Sequence, residues 1–378
     1  MNYDCKSYGY KKIKRKRLLP LIVVLFFLSF MRPVQASKDW FFYGTSQVIP
    51  LLTYEREYGI LDASYCADYQ VPEWFFEEKP ENADTVMEEG NTEQEEAAQK
   101  EEKVETLADG TKGVAFTRKQ LQKKDVLLSK IFSVDANTSM TKEELSLKNL
   151  LDKDLSIDGI KNSIGENGEK QYKILIYHTH GSEAFADSRK GKKEDTIIGV
   201  GTYLTQLLEE QYGIATYHDE TVYDVVDGKL DRSYAYENAA ANVKKILEKY
   251  PSIEVVIDLH RDGVDEELHL VTNVNGKETA KIMFLNGVSR SNMNGDITYL
   301  ENPNKLDNLA FSFQMFLLGK QNYGDYVRKI YVRSLRYNLH LMPRATLIEA
   351  GAQNNTLQEE KNAMEPLAAI LNEVLAPK

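Results

Sequence analysis

The stretch Ile174-Leu175-Ile176-Tyr177-His178-Thr179-His180-Gly181-Ser182-Glu183 (ILIYHTHGSE) decides how this chain is read. An apolar run stops abruptly at two of the chain's six histidines, and a carboxylate follows. Short continuous apolar runs of this kind are strands buried on both faces, as in parallel sheets covered by helices. Downstream, Thr196–Tyr212 carries Ile197, Val200, Tyr203, Leu204, Leu207 and Leu208 at helical spacing, Gly213 stops it, and Ile214–Tyr217 returns to strand. That is a β-α-β unit. Tyr234–Tyr250 reads as a second helix ended by Pro251, and Ile253–Leu259 (IEVVIDL) as a second buried strand. Lys281–Leu285, the helix Leu306–Leu318, Lys329–Val332, Ala345–Ile348 and a C-terminal helix Leu357–Leu375 complete the alternation. The expected fold class is α/β, a mostly parallel mixed sheet with helices on both faces.

The 378 residues and 42% hydrophobic content suffice for a sizeable core. The formal charge of −11 averages a basic N-terminus with an acidic middle, and implies no nucleic-acid partner. Residues 1–17 form a basic tail (Lys11, Lys12, Lys14, Arg15, Lys16, Arg17) before an apolar stretch, Leu18–Met31, the layout of an export signal. Fourteen residues fall short of the about 20 of a full span, and Val34-Gln35-Ala36 resembles a cleavage site, so residues 18–36 are either a signal peptide or an uncleaved transmembrane anchor. Both alternatives place the bulk of the chain outside the cytoplasm. Cys5 and Cys66 flank this segment, which excludes a disulfide framework. An aromatic-rich membrane-proximal segment is expected at 37–76. Residues 77–110 are too acidic and too poor in apolar residues to order themselves and are expected to be a flexible linker. A helical lead-in at 111–169 then precedes the compact domain, 170–378.

In open sheets of this kind, chemistry gathers at the carboxyl ends of the strands. His180 and Glu183 follow one such strand, His260 ends another in Asp258-Leu259-His260-Arg261-Asp262, and Glu349 ends a third. Two histidines and a glutamate, with one position left open, are the usual donors of a catalytic zinc ion. His218, His269 and His340 read as structural. An ion pair of Arg261 with Asp258 or Asp262 is expected before any contact of Arg261 with substrate.

ILIYHTHGSEAF, YHDETVYD, SYAYENA, VVIDLHRDG and IEAGAQNNTLQEE together resemble the stage II sporulation protein P family. These are membrane-associated cell-wall hydrolases related to the zinc-dependent N-acetylmuramoyl-L-alanine amidases. The resemblance covers about residues 170–375 and implies a zinc amidase-like domain with zinc as cofactor. It assigns His180, Glu183 and His260 as metal ligands, with Glu194 a rival for the third position, and Glu349 as the catalytic carboxylate. His178 is expected beside the site or facing substrate, because strand alternation points it the same way as His180, and Arg261 is the other candidate for such a place. Asn354, Asn355 and Thr356 are expected to cap the last helix. The implied function is peptidoglycan hydrolysis at the muramoyl-L-alanine amide, with a second action on stem-peptide crosslinks also credited to the family. The implied setting is septal wall degradation and forespore engulfment at the cell membrane, with stage II sporulation proteins D and M as partners. Two alternatives stay open: a catalytically silent wall-binding module, and a zinc carboxypeptidase-like peptidase.

Overall fold

The computed structural model describes residues 103–106 and 112–377 apart from 163 and 166. The basic tail, the apolar segment 18–36, the aromatic segment 37–76 and most of the acidic stretch lie outside the described residues. Among the described residues no helix is long and apolar enough to cross a membrane. Of the two units into which the chain divides, 1–59 and 60–378, everything below concerns the second.

Its centre is a seven-stranded sheet. In chain order the strands are β1 (Phe132–Val134), β2 (Ile174–Tyr177), β3 (Thr216–His218), β4 (Val255–Asp262), β5 (Ile282–Gly287), β6 (Ile330–Arg333) and β7 (Ala345–Ala352). Their spatial order is β1-β6-β5-β7-β4-β2-β3. Within this sheet only β5 with β7 pairs antiparallel, every other neighbour being parallel. The four long helices are α1 (Ile197–Glu210), α2 (Ala235–Lys249), α3 (Lys305–Tyr323) and α4 (Leu357–Leu375). The expected mostly parallel mixed sheet is therefore present, with helices on both faces.

The pleat of the strands sorts their side chains into two cores. Ile174, Ile176, Val255, Ile257, Leu259 and Ile348 pack with residues of α1, α3 and α4. Leu175, Tyr177, Val256, Ala345 and Leu347 face the other way, against Ala235, Ala239, Val243 and Ile246 of α2. Each large aliphatic side chain so buried contributes about 1.5–3 kcal/mol. Local signals end the helices: Gly213 takes φ 69° just past α1, a left-handed conformation that costs glycine little.

Two expectations upstream need correction. The segment 111–169 is not merely a lead-in, because β1 is an edge strand of the main sheet and Leu121, Leu127, Ile131, Leu150, Leu155, Ile157 and Ile160 join the larger core. The compact domain therefore begins before residue 170. Lys103–Thr106, inside the stretch expected to be a linker, pairs antiparallel with Lys112–Ala115. That pairing is made by main-chain groups, which an acidic composition does not prevent.

Candidate active site

Strands β2, β4 and β7 run parallel, so their carboxyl ends share one rim, and register sets what meets there. Tyr177 stands opposite Asp258, and Glu349 opposite His260. Asp258 and His260 follow Val256 at spacings of two, and Glu349 follows Leu347 likewise, so all three project on the α2 side of the sheet. His180 reaches the same side from the turn after β2. Its ring meets that of His260 edge to face, with centroids 5.2 Å apart, and that of Tyr236 at the start of α2, at 5.6 Å. The segments bearing the two histidines thus converge, as a shared site requires.

Glu183 completes the cluster. Its Oε2 lies 3.5 Å from His260 Nδ1 and accepts the backbone N–H of Arg261 at 3.0 Å. Arg232 Nη2 lies 3.8 Å from its other oxygen. The turn that carries Glu183 is held at Ser182, whose N–H and Oγ both donate to the buried Asp224. Glu194, the rival carboxylate, is 61% exposed on the turn Lys193–Asp195 and lies 3.6 Å from Arg189. Of the two rivals, Glu183 is the one beside His260.

The charges are strongly coupled. Burial alone would suppress the His260 imidazolium, but Asp258 on one side and Glu183 on the other raise its pKa well above the ordinary value. His180 is lowered to about 3, first by burial and then by the charge of His260. Against the upward push of burial, His260 holds Glu183 down at about 2. Glu349 moves the opposite way: burial, then Asp262, push its carboxyl up to about 8, with His260 opposing.

Among the described residues no three His, Cys, Asp or Glu side chains form a ready-made metal cage. In this arrangement His260 is engaged by carboxylates on both sides. The donor chemistry nevertheless fits zinc, being two imidazoles and a carboxylate in one buried cluster. His180 Nδ1 and Glu349 Oε2 are buried without a hydrogen-bond partner. Orphaned polar atoms gathered at one place mark a site completed by another species.

His178 departs from expectation. It is fully buried on the α1 side, away from His180: Nδ1 donates to Leu259 O at 2.8 Å, and Nε2 lies 2.9 Å from His218 Nε2. β2 ends at Tyr177, and the turn that follows reorients the chain, so strand alternation no longer relates residues 178 and 180. Arg261 pairs with neither Asp258 nor Asp262. Its Nε donates to Ala184 O, its Nη1 to Asp262 O, and Asp262 Oδ2 instead takes Arg328 at 2.7 Å. The backbone N–H of Arg261, not its guanidinium, touches the site. Of Asn354, Asn355 and Thr356, only Thr356 caps α4, in a capping box with Glu359, while the asparagines bind loop carbonyls. His269 pairs with Glu359 and His218 with His178, as structural histidines do.

Motif reading passed over Asp258, Thr179 and Tyr236. Their signals were present: an acid inside the apolar run IEVVIDL, a hydroxyl between two histidines, and an aromatic at the start of α2 in SYAYENA.

Among solved structures, two amidases are similar to about half of this chain. The CwlD amidase of Clostridioides difficile, solved in complex with the GerS lipoprotein, is 15% identical, covers 53% of this chain and 98% of its own, and has a TM-score of 0.35. An N-acetylmuramoyl-L-alanine amidase of Nostoc punctiforme is 14% identical over 55% of this chain and 98% of its own, with a TM-score of 0.34. Among curated proteins, stage II sporulation protein P of Bacillus subtilis (strain 168) is 25% identical over 217 residues, 55% of this chain. The match spans about half of that relative, 52%. The family model for stage II sporulation protein P matches residues 59–372, and the chain belongs to that family.

Proposed function

We propose that this chain is a zinc-dependent peptidoglycan amidase that cleaves the bond between N-acetylmuramic acid and the L-alanine of the stem peptide. One observation carries this: His180 and Glu183 from the turn after β2, His260 from β4 and Glu349 from β7 meet in one cluster with buried, orphaned nitrogen and oxygen atoms. In this proposal His180, Glu183 and His260 hold the ion. Zinc so held supplies Lewis acidity, polarising the scissile carbonyl and acidifying the attacking water.

The chain's own residues do the rest. Glu349 Oε2, buried and unpartnered, takes a proton from the water and returns it to the amine as the C–N bond breaks. Burial pushes its pKa up to about 8, close to neutrality, which suits a group that must both take up a proton and give it back. The Arg261 N–H holds Glu183 in place, and the Tyr236 ring walls one side of His180. Family membership supports a role in septal wall degradation and engulfment at the membrane of the sporulating cell, with stage II sporulation proteins D and M as partners and the N-terminal segment as membrane anchor.

The test is release of stem peptides from purified cell walls. A chelator should abolish release and zinc restore it, and Glu349→Gln should lower the rate ~10²–10⁴-fold, the usual contribution of a positioned acid–base group. Release of free D-alanine instead would point to a carboxypeptidase. Full function in the Gln variant would point to a binding module.

A further inference from the structure

Asp258 lies at the centre of the cluster, although the resemblance assigns it no role. It sits on β4 opposite Tyr177 and is fully buried. One oxygen, Oδ1, accepts the N–H of Thr179 at 2.9 Å, and Oδ2 accepts the Thr179 hydroxyl at 2.6 Å. Thr179 is the residue immediately before His180. On its other side, Oδ1 lies 2.8 Å from His260 Nε2, within ion-pair range although off the line of a well-directed hydrogen bond. The opposite nitrogen of that ring, Nδ1, looks toward Glu183 at 3.5 Å. One carboxylate therefore holds the turn that carries one histidine and lies against the ring of the other.

The two nitrogens of an imidazole are not equivalent once one has an acceptor. A carboxylate can only accept, so the nitrogen beside it keeps the proton and the other is left to ligate. We infer that Asp258 is the positioning carboxylate of this site: it keeps the proton on Nε2 of His260, offers Nδ1, on the Glu183 side, to a divalent cation, and pins the His180 turn to β4 through Thr179.

This inference, which rests on the zinc proposal above, explains why an uncompensated acid interrupts an otherwise apolar buried strand. Burying a carboxylate is costly unless its lone pairs are used, and here Thr179 uses two and His260 approaches a third. Asparagine has the same shape and can keep the Thr179 contacts, its Nδ2 donating to the hydroxyl, but it lacks the negative charge beside His260 Nε2.

The test uses the full chain and zinc alone. Chelator competition should show wild type binding zinc, and Asp258→Asn binding 10–100-fold more weakly, the usual loss when such a partner of a ligating histidine is removed. Nitrogen-15 spectra of the zinc-loaded wild type should place the His260 proton on Nε2 and the metal on Nδ1. This second measurement needs no variant, so it decides the matter even if Asp258→Asn fails to fold. A metal-bound Nε2, or a folded Asp258→Asn chain with wild-type zinc affinity, overturns the inference while leaving the zinc proposal intact. A wild-type chain that binds no zinc overturns both.

Discussion

Gly201 offers a sharp test of how the region behind the site is packed. It lies in α1, where glycine is about 1 kcal/mol less favourable than alanine, so at a solvent-facing position Gly201→Ala would stabilise the chain. The surroundings predict the opposite. A Cβ at residue 201 would stand 2.6 Å from both Cε1 and Nε2 of His178 and 2.8 Å from His218 Nε2. Neither ring can move freely. His178 is fully buried with Nδ1 on Leu259 O, so its Nε2 is the acceptor and His218 Nε2 the donor of their contact. Overpacking of this kind costs about 1–3 kcal/mol, and a strained imidazole–carbonyl bond adds about 1 kcal/mol. Subtracting the helical gain leaves a net destabilisation of about 1–3 kcal/mol. For a chain of this size that lowers the thermal midpoint by roughly 2 °C per kcal/mol. The assay is urea and thermal unfolding of both chains, with the urea slope checked for constancy so that the midpoint shift reports stability alone. An unchanged or raised midpoint would refute the packing of His178 against α1.

Two further outcomes follow from the same structure. Burial lowers His178 to about 3 and His218 to about 4, from an ordinary value of 6.5. Below pH 6.5 the unfolded chain takes up protons that the folded chain refuses, so this contribution to stability is full above pH 6.5 and is lost as pH falls toward 4, by up to about 1.4 kcal/mol per pH unit per histidine. His218→Gln should therefore show a shallower fall in urea midpoint between pH 7.5 and 4.5, and parallel curves would mean that His218 is not held neutral. Asn355 is fully buried, accepts the Ala352 N–H at 3.0 Å and donates to Leu270 O and Glu359 Oε2. Asn355→Ala strands those groups and should cost about 2–3 kcal/mol, read as a lowered thermal midpoint; a loss under 0.5 kcal/mol would show that water replaces the side chain.

Local chemistry was enough to read much of this protein. Apolar runs such as Ile174–Tyr177 and Val255–Leu259 must be strands covered on both faces, and Gly213 and Pro251 must end helices, because these properties belong to a few neighbouring residues. The same holds for His180 just past β2, whereas β4 and β7 run on to Asp262 and Ala352, past His260 and Glu349. Convergence of those ends followed from the parallel sheet that such an alternation implies.

What the sequence did not contain depends on pairing between distant residues. Nothing in Phe132–Val134 announces an edge strand, since its hydrogen-bond partner is β6, some two hundred residues on. Periodicity cannot say that β7 lies between β4 and β5, or that β5, β6 and β1 run opposite to it. Alternation predicted His178 and His180 on one side, and failed because it holds only while the chain stays extended. Arg261 matters through a backbone N–H, a group that every residue but proline possesses. The partners of Asp258 were equally hidden: an acid in an apolar strand is only an anomaly until folding brings Thr179 against it and turns the anomaly into a clamp.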